Sequence, residues 1–240
     1  MIYQDNDKYV GKSIDYYGEF CEAEVALLLS VLQPDMTFVD VGANIGAMTI
    51  PAARRAGRVV AYEPQRIAYQ TLCGNVSVND LKNVTCVQAA VGDKSGTVNV
   101  PELDYTAEQN LAGLDLRHQY AGMTFTVPLV RLDDDNFERC DLIKIDVEGM
   151  EAQVVAGAAK VIATFRPYLC VEDDYEPQRA ELRRAIRAAG YRLYEFAPPL
   201  YNPDNYFLNP KNLWPDAVGR NLFCVPAERD APDFGLTEIP

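Results

Sequence analysis

The 240-residue chain has a single histidine, His118, which excludes a metal centre built from several imidazoles within one subunit. Its six cysteines, Cys21, Cys73, Cys86, Cys140, Cys170 and Cys224, are never within three positions of one another, so zinc-ribbon and C-x-x-C redox spacings are absent. Thr85-Cys86-Val87 and Leu169-Cys170-Val171 set cysteines inside apolar runs, as expected of buried, reduced thiols. No run approaches the roughly 18 uninterrupted apolar residues of a membrane span. The opening Met1-Ile2-Tyr3-Gln4-Asp5-Asn6-Asp7-Lys8 lacks the basic start and apolar stretch of a signal peptide, so a cytoplasmic protein with no membrane partner is expected. Basic stripes are missing too. Formal net charge is −13, and Arg54-Arg55 and Arg183-Arg184 are isolated pairs of the kind found on solvated helix faces. Duplex binding draws most of its affinity from neutralised phosphates, so no nucleic-acid partner is expected.

What is present is a hydrophobic fraction of 48%, enough for a layered core in one large domain. The organising stretch is Thr37-Phe38-Val39-Asp40-Val41-Gly42-Ala43-Asn44-Ile45-Gly46. A β-branched and aromatic run ends in an acid and two glycines, and a helical pattern follows: strand, tight turn, helix. In a parallel α/β sheet that junction lies at the carboxyl edge, where ligands bind.

Glu19 to Leu32 reads as an amphipathic helix, while residues 1–17 form no clear element. Residues 45–56 read as a helix and 58–63 as a buried strand. Pro64 starts a further helix towards Asn79, and Asn83 to Val91 reads as a third strand. Such alternation gives right-handed βαβ crossovers and a parallel sheet. Thr97–Val100 and Thr124–Val127 alternate as exposed strands that pair as a flap. Glu102 to Met123 between them is long enough to be a functional or mobile loop. In the second half, residues 141–146 form a strand, Gly149 to Ala163 its helix and 166–172 another strand. Pro177 to Ala189 is a helix, followed by strands at 191–196 and 221–226.

Three strands end in acids: Asp40, Glu63 and Asp146. Glu63 follows Asp40 by one βα unit, where an acid accepts from both ribose hydroxyls; the alternative is a helix cap. An NAD enzyme's turn reads G-x-G-x-x-G, but here Asn44 occupies the middle glycine's place and Asp40 would repel a diphosphate. The acid suits a cofactor with a positive or amino-acid end.

Asp40-Val41-Gly42-Ala43-Asn44-Ile45-Gly46, Ala61-Tyr62-Glu63-Pro64, Ala89-Ala90-Val91-Gly92-Asp93 and Ile143-Lys144-Ile145-Asp146-Val147-Glu148-Gly149-Met150-Glu151 together resemble, in order, the FkbM family of S-adenosylmethionine-dependent methyltransferases. The likeness runs from about Glu19 to Pro226. It implies a Rossmann-like class I α/β fold: a seven-stranded, mostly parallel sheet with an antiparallel last strand and helices on both faces. It also implies that the turn holds the methionine portion of the cofactor (Asp40, Gly42, Ala43, Asn44, Gly46) and that Glu63 and Pro64 lie at the ribose. Gln88, Ala90 and Val91 then lie by the adenine. The family mostly methylates hydroxyls, often on sugars or polyketide-type products. Residues 1–33 then form an N-terminal segment and helix packed on a 34–240 methyltransferase domain, with an insertion loop at about 101–127 and a substrate-side segment at about 197–220.

An alcohol nucleophile benefits from a base or a metal. Asp146 is a base, an orienter of cofactor amine or substrate, or a cap for the following helix. Lys144 shares its strand face and is either an ion-pair partner or a base. His118 is a base brought in by loop closure or an exposed side chain. Glu148 and Glu151 belong to the family motif and anchor the turn and helix. Glu172-Asp173-Asp174 is the oxygen-rich stretch that would suit Mg²⁺, or a solvated turn; no metal is assigned. The aromatics and amides from Pro198 to Phe207, with Trp214, suit stacking on a sugar or aromatic ring, or packing against a second copy in a homo-oligomer. Ala197-Pro198-Pro199-Leu200 is not the D/N-P-P-Y signature of nucleic-acid amino methyltransferases. The resulting expectation is O-methylation of a glycan or small natural product. Its rivals are an NAD(P)-type oxidoreductase and an inactive cofactor-binding or assembly module.

Overall fold

The computed structural model describes residues 1–118, 120 and 122–239. Gln119 and Ala121 of the long loop, and Pro240 at the end of the expected 34–240 domain, lie outside the described residues. The strands are β1 (Thr37–Val41), β2 (Arg58–Tyr62), β3 (Val84–Val87), β4 (Ala90–Val91), β5 (Gly96–Pro101), β6 (Thr124–Val130), β7 (Leu142–Ile145), β8 (Tyr168–Glu172), β9 (Tyr191–Phe196), β10 (Asn221–Pro226) and β11 (Thr237–Ile239). The helices are α1 (Val10–Tyr17), α2 (Glu22–Val31), α3 (Thr49–Ala53), α4 (Arg66–Val78), α5 (Glu151–Gly157), α6 (Ala159–Phe165) and α7 (Glu176–Ala188).

Among the described residues the main sheet runs β11-β9-β10-β8-β7-β1-β2-β3, parallel from β8 to β3, with β10 antiparallel to both its neighbours. The seven-strand expectation therefore holds as a Rossmann-like α/β sheet, with β11 as an eighth strand on the edge. Strand alternation divides the core in two. Val39, Ile143, Leu169 and Leu222 face α5, α6 and α7, while Phe38, Leu142, Cys170 and Phe223 face α2 and α3. Helices cover both faces, as a buried parallel sheet requires.

Some local expectations change. The run 83–91 is not one strand: β3 ends at Val87, and β4 leaves to pair with β6 in a separate sheet ordered β4-β6-β5. An apolar run carries no information on which sheet receives it. The β5–β6 flap is an antiparallel pair, as its alternation predicts. The helix expected at 45–56 shrinks to α3, because Asn44 at φ 48 and Gly46 at φ 94 sit in the left-handed region. The helix expected at 149–163 breaks at Ala158, where a Cβ on Gly157 would lie 1.9 Å from the Gly92 carbonyl oxygen. Residues 1–17 hold a helix after all. Asp7 accepts from the Gly11 N–H at 2.9 Å, and Val10, Ile14 and Tyr17 form its buried face.

Two long segments close over the carboxyl edge of the parallel strands. The loop after β5 is clasped by the N-terminal segment: the Lys8 N–H donates to the Gln109 carbonyl (2.9 Å), and Asn6 Nδ2 donates to the Tyr105 carbonyl (2.9 Å). The segment after β9 is pinned to α1 by Tyr17, whose hydroxyl donates to the Lys211 carbonyl and accepts from the Leu213 N–H. Tyr201 and Trp214 pack around that ring at 5.4 and 6.1 Å. Those two aromatics are half-buried, while Tyr206 and Phe207 stay exposed. No described helix is long and apolar enough to cross a membrane.

Candidate active site

The ends of β1, β2, β7 and β8 open into a cleft of about 420 Å³, within the usual range for small-molecule sites. One wall is the turn after β1. The Gly42 and Ala43 N–H groups donate to the Tyr62 carbonyl, locking that turn to β2. Gly42, at φ 86, is required by close packing: a Cβ there would lie 1.8 Å from the Asp146 carbonyl oxygen. Residues 42 and 146 are thereby pressed together at the cleft floor.

Asp40 is 1% exposed, and its Oδ2 accepts from the Thr49 hydroxyl at 2.6 Å. Its Oδ1 is buried with no hydrogen-bond partner among the described residues. Such an orphan marks a place for a donor the chain does not itself supply. Burial raises its pKa, opposed by the Lys144 charge and the Thr49 hydrogen bond.

Glu63 is 7% exposed and works as a staple. Its Oε2 accepts from the Asn44 N–H and its Oε1 from the Gln65 N–H, both at 2.8 Å. Burial pushes its pKa up to about 7 against the pull of those two donors. The cap of α4 is Gln65, whose Oε1 accepts from the Ile67 and Ala68 N–H groups. Glu63 therefore ties the two turns together, and each of its oxygens retains a further lone pair on the cleft wall.

Ala43, Asn44, Pro64, Ala90 and Val91 line the cleft as the sequence predicts. Gly46 and Gln88 are not in that lining; Ala89 is. Gly46 instead packs on α4, where a Cβ would meet Leu72 at 2.8 Å. A further part of the lining comes from the two long segments, through Leu111, Leu114, Leu116, Leu200 and Val218. Sequence periodicity offered no means of finding these loop residues.

Asp146 lines the cleft, and its Oδ2 accepts from Lys144 Nζ at 2.6 Å. Lys144 is 3% exposed. Burial opposes its charge, but the carboxylates of Asp146, Glu24 and Asp40 outweigh that and carry its pKa well above the ordinary lysine value. It is an ammonium held in place. His118, with a side chain 67% exposed, pairs through Nδ1 with Asp115 at 2.9 Å and is not in the cleft lining. Glu151 accepts from the Gly149 N–H at 2.9 Å and the Val147 N–H at 3.3 Å, anchoring the turn after Asp146.

Glu172-Asp173-Asp174 does not converge as a set. Asp173 is taken by Arg183 and Arg179, and Asp174 by Arg220 at 3.4 Å. Glu172 and Asp174 both line the cleft, but it is carboxylate oxygens of Asp146, Glu148 and Glu172 that lie within 4.8 Å of one another. Burial, then the Asp146 charge, raises Glu148 to about 7 and Glu172 well above the carboxylate range. Glu24, from α2, also reaches the cleft and was overlooked in the sequence. Its signal was an acid one turn before Leu28 on the buried helix face.

Residues 40–193 match the Methyltransferase FkbM domain model. Methyltransferase sdnD of Sordaria araneosa is 29% identical over 152 residues, covering 50% of this chain and 59% of that protein. Methyltransferase 1 of Beauveria bassiana is 26% identical over 147 residues, covering 52% and 59%. The chain thus spans about three fifths of the length of these curated relatives. An FkbM methyltransferase from Methylobacillus flagellatus superposes with a TM-score of 0.54 at 18% identity, over 82% of this chain and 47% of that one, a likeness of fold.

Proposed function

As this chain belongs to the FkbM methyltransferase family, we propose that it transfers a methyl group from S-adenosylmethionine to a hydroxyl of a sugar, glycan or small natural product. The observation that carries this reading is the pair of buried acids flanking the β1 turn. Asp40 has an oxygen without a partner, and Glu63 has lone pairs to spare after its two backbone bonds.

The donor set fits such a cofactor. Asp40 would accept from the α-ammonium, and Glu63 from the ribose hydroxyls. Ala89, Ala90 and Val91, with Gln88 beside them, would flank the adenine. When bound, S-adenosylmethionine supplies an electrophilic methyl on a sulfonium. The chain's own task is then to place an alcohol in line and take its proton, and positioning supplies much of the rate. Asp146 is the group for that proton: it sits at the cleft end of β7, held by the Lys144 ammonium and partly open to the cleft. Lys144 stays charged and orients Asp146 rather than acting as the base. His118 has no part in the mechanism.

Leu111, Leu114 and Leu116 roof the cleft and would exclude water from the reacting end. An oxidoreductase reading lacks both the middle glycine and a wall free of acid. Isothermal titration with S-adenosylmethionine, S-adenosylhomocysteine and NADH, followed by mass spectrometry over a panel of hydroxylated glycans and aromatic polyketides, tests the proposal. Binding of both methionine cofactors and a methylated hydroxyl are expected. NADH binding with no response to either would overturn it. Cofactor binding with no methylated product across the panel would favour a binding module.

A further inference from the structure

The match to the family model begins at Asp40, yet Glu24, an acid buried beneath the reacting end of the cleft, comes from α2 before it. Its position follows from strand register. Asp40 pairs with Lys144 and Lys144 with Cys170 across β1, β7 and β8, so the three side chains form one row. That row faces the layer containing α2, where Glu24 is 5% exposed. Glu24 Oε1 lies 3.7 Å from Lys144 Nζ and accepts from Cys170 Sγ at 3.6 Å. On its other side, Lys144 Nζ donates to Asp146 Oδ2 at 2.6 Å.

We propose that Glu24 is a positioning residue: through the Lys144 ammonium it sets the aim of Asp146 at the cleft. This rests on Asp146 being the proton acceptor of the proposed reaction. One ammonium is shared by three carboxylates, Asp146, Glu24 and Asp40, with the Cys170 and Cys21 thiols also close. Glu24 holds the ammonium from the side opposite Asp146, so the 2.6 Å bond to Asp146 Oδ2 keeps one direction. A side chain that cannot pair with the ammonium lets it shift, and Asp146 turns with it. Glu148, Glu172 and Asp174 face Asp146 from the cleft side and are untouched by this shift. Stability alone accounts poorly for the arrangement, since a buried ion pair roughly breaks even against packed apolar side chains.

The experiment measures methyl transfer to the best acceptor of the panel above, and S-adenosylmethionine affinity by calorimetry, in wild type, Glu24→Gln, Glu24→Asp, Asp146→Asn and the Glu24→Gln/Asp146→Asn double variant, with circular dichroism as the fold control. In Glu24→Gln kcat should fall by ~10-fold, the scale of a misaimed catalytic group, with acceptor KM unchanged. Glu24→Asp should stay near wild type. In the Asp146→Asn background Glu24→Gln should cost nothing more, because the residue acts only through Asp146. An unchanged kcat in folded Glu24→Gln would overturn the proposal, as would an equal further loss in the Asp146→Asn background, or collapse of the fold in both Glu24 variants, which would make Glu24 a folding residue only. Full turnover in Asp146→Asn would instead sink the role of Asp146.

Discussion

Replacing Glu63 by glutamine probes the point where folding and ligand binding share one side chain. In the wild-type chain, both oxygens accept a backbone N–H at 2.8 Å. Glutamine keeps one such acceptor and turns an NH₂ towards the other donor, leaving one buried N–H unpaired at a cost of about 1–3 kcal/mol. The charge works in the opposite direction. Burial raises the Glu63 carboxyl from 4.5 to about 7, so the folded state holds that proton more tightly than the unfolded state. Its contribution is therefore favourable in acid and is lost as pH rises through 4.5 towards 7. The full span corresponds to about 3 kcal/mol, an upper bound. Glu63→Gln does not titrate. Urea unfolding of the ligand-free chain at pH 5 should find it less stable than wild type, and at pH 7.5 the gap should narrow or reverse. Binding adds a second readout. S-adenosylhomocysteine should bind the variant ~5–150-fold more weakly, the equivalent of 1–3 kcal/mol. Its 2′-deoxy analogue, which keeps only the 3′-hydroxyl, should distinguish the two proteins less. Parallel pH–stability curves would refute the buried-charge argument, and undiminished discrimination against the 2′-deoxy analogue would refute the ribose role.

Three further perturbations test the rest of the cleft. Asp146→Asn should lower turnover by ~100-fold or more, the usual scale of a lost general base, while thermal denaturation shifts by only a few degrees; surviving turnover would place the base elsewhere. Gly42→Ala forces a Cβ against the Asp146 carbonyl at a φ of 86. It should cost at least ~3 kcal/mol in urea unfolding and abolish cofactor binding, and a stable variant would contradict the turn geometry. His118→Ala should leave kcat within about twofold at every pH, because that side chain is exposed and outside the cleft lining; a lost pH limb would restore it as a base.

Local rules account for much of what was legible in the chain. The β-branched runs at Val39, Val59 and Ile143, the acids that end them, and the glycines after Asp40 mark the strands and the ligand edge, because strand propensity and turn chemistry act over a few residues. The same rules separated this turn from a dinucleotide fingerprint at Asn44. They failed where the outcome hung on distant partners. Ala90 and Val91 are as apolar as the strand before them, yet they join the second sheet because β6 offers Leu129 and Val130 as partners. Tyr201 and Trp214 suggested a ring-stacking surface, and no local rule shows that Tyr17, nearly two hundred positions away, packs against both rings and leaves them half-buried.

The electrostatics of the cleft show the same division. That Lys144 and Asp146 share a strand face follows from an alternation of two, and any reader of the chain can see it. That Lys144 is held as an ammonium follows from Asp40 on β1 and Glu24 on α2, brought to it by strand register and helix packing. By itself the sequence determined the sheet, the turn and the family of the chain, since these rest on short-range patterns. The tertiary structure decided which charged and polar groups meet at the cleft, and so which way Lys144, Glu63 and Glu148 are shifted, because a pKa depends on which groups surround a side chain in space.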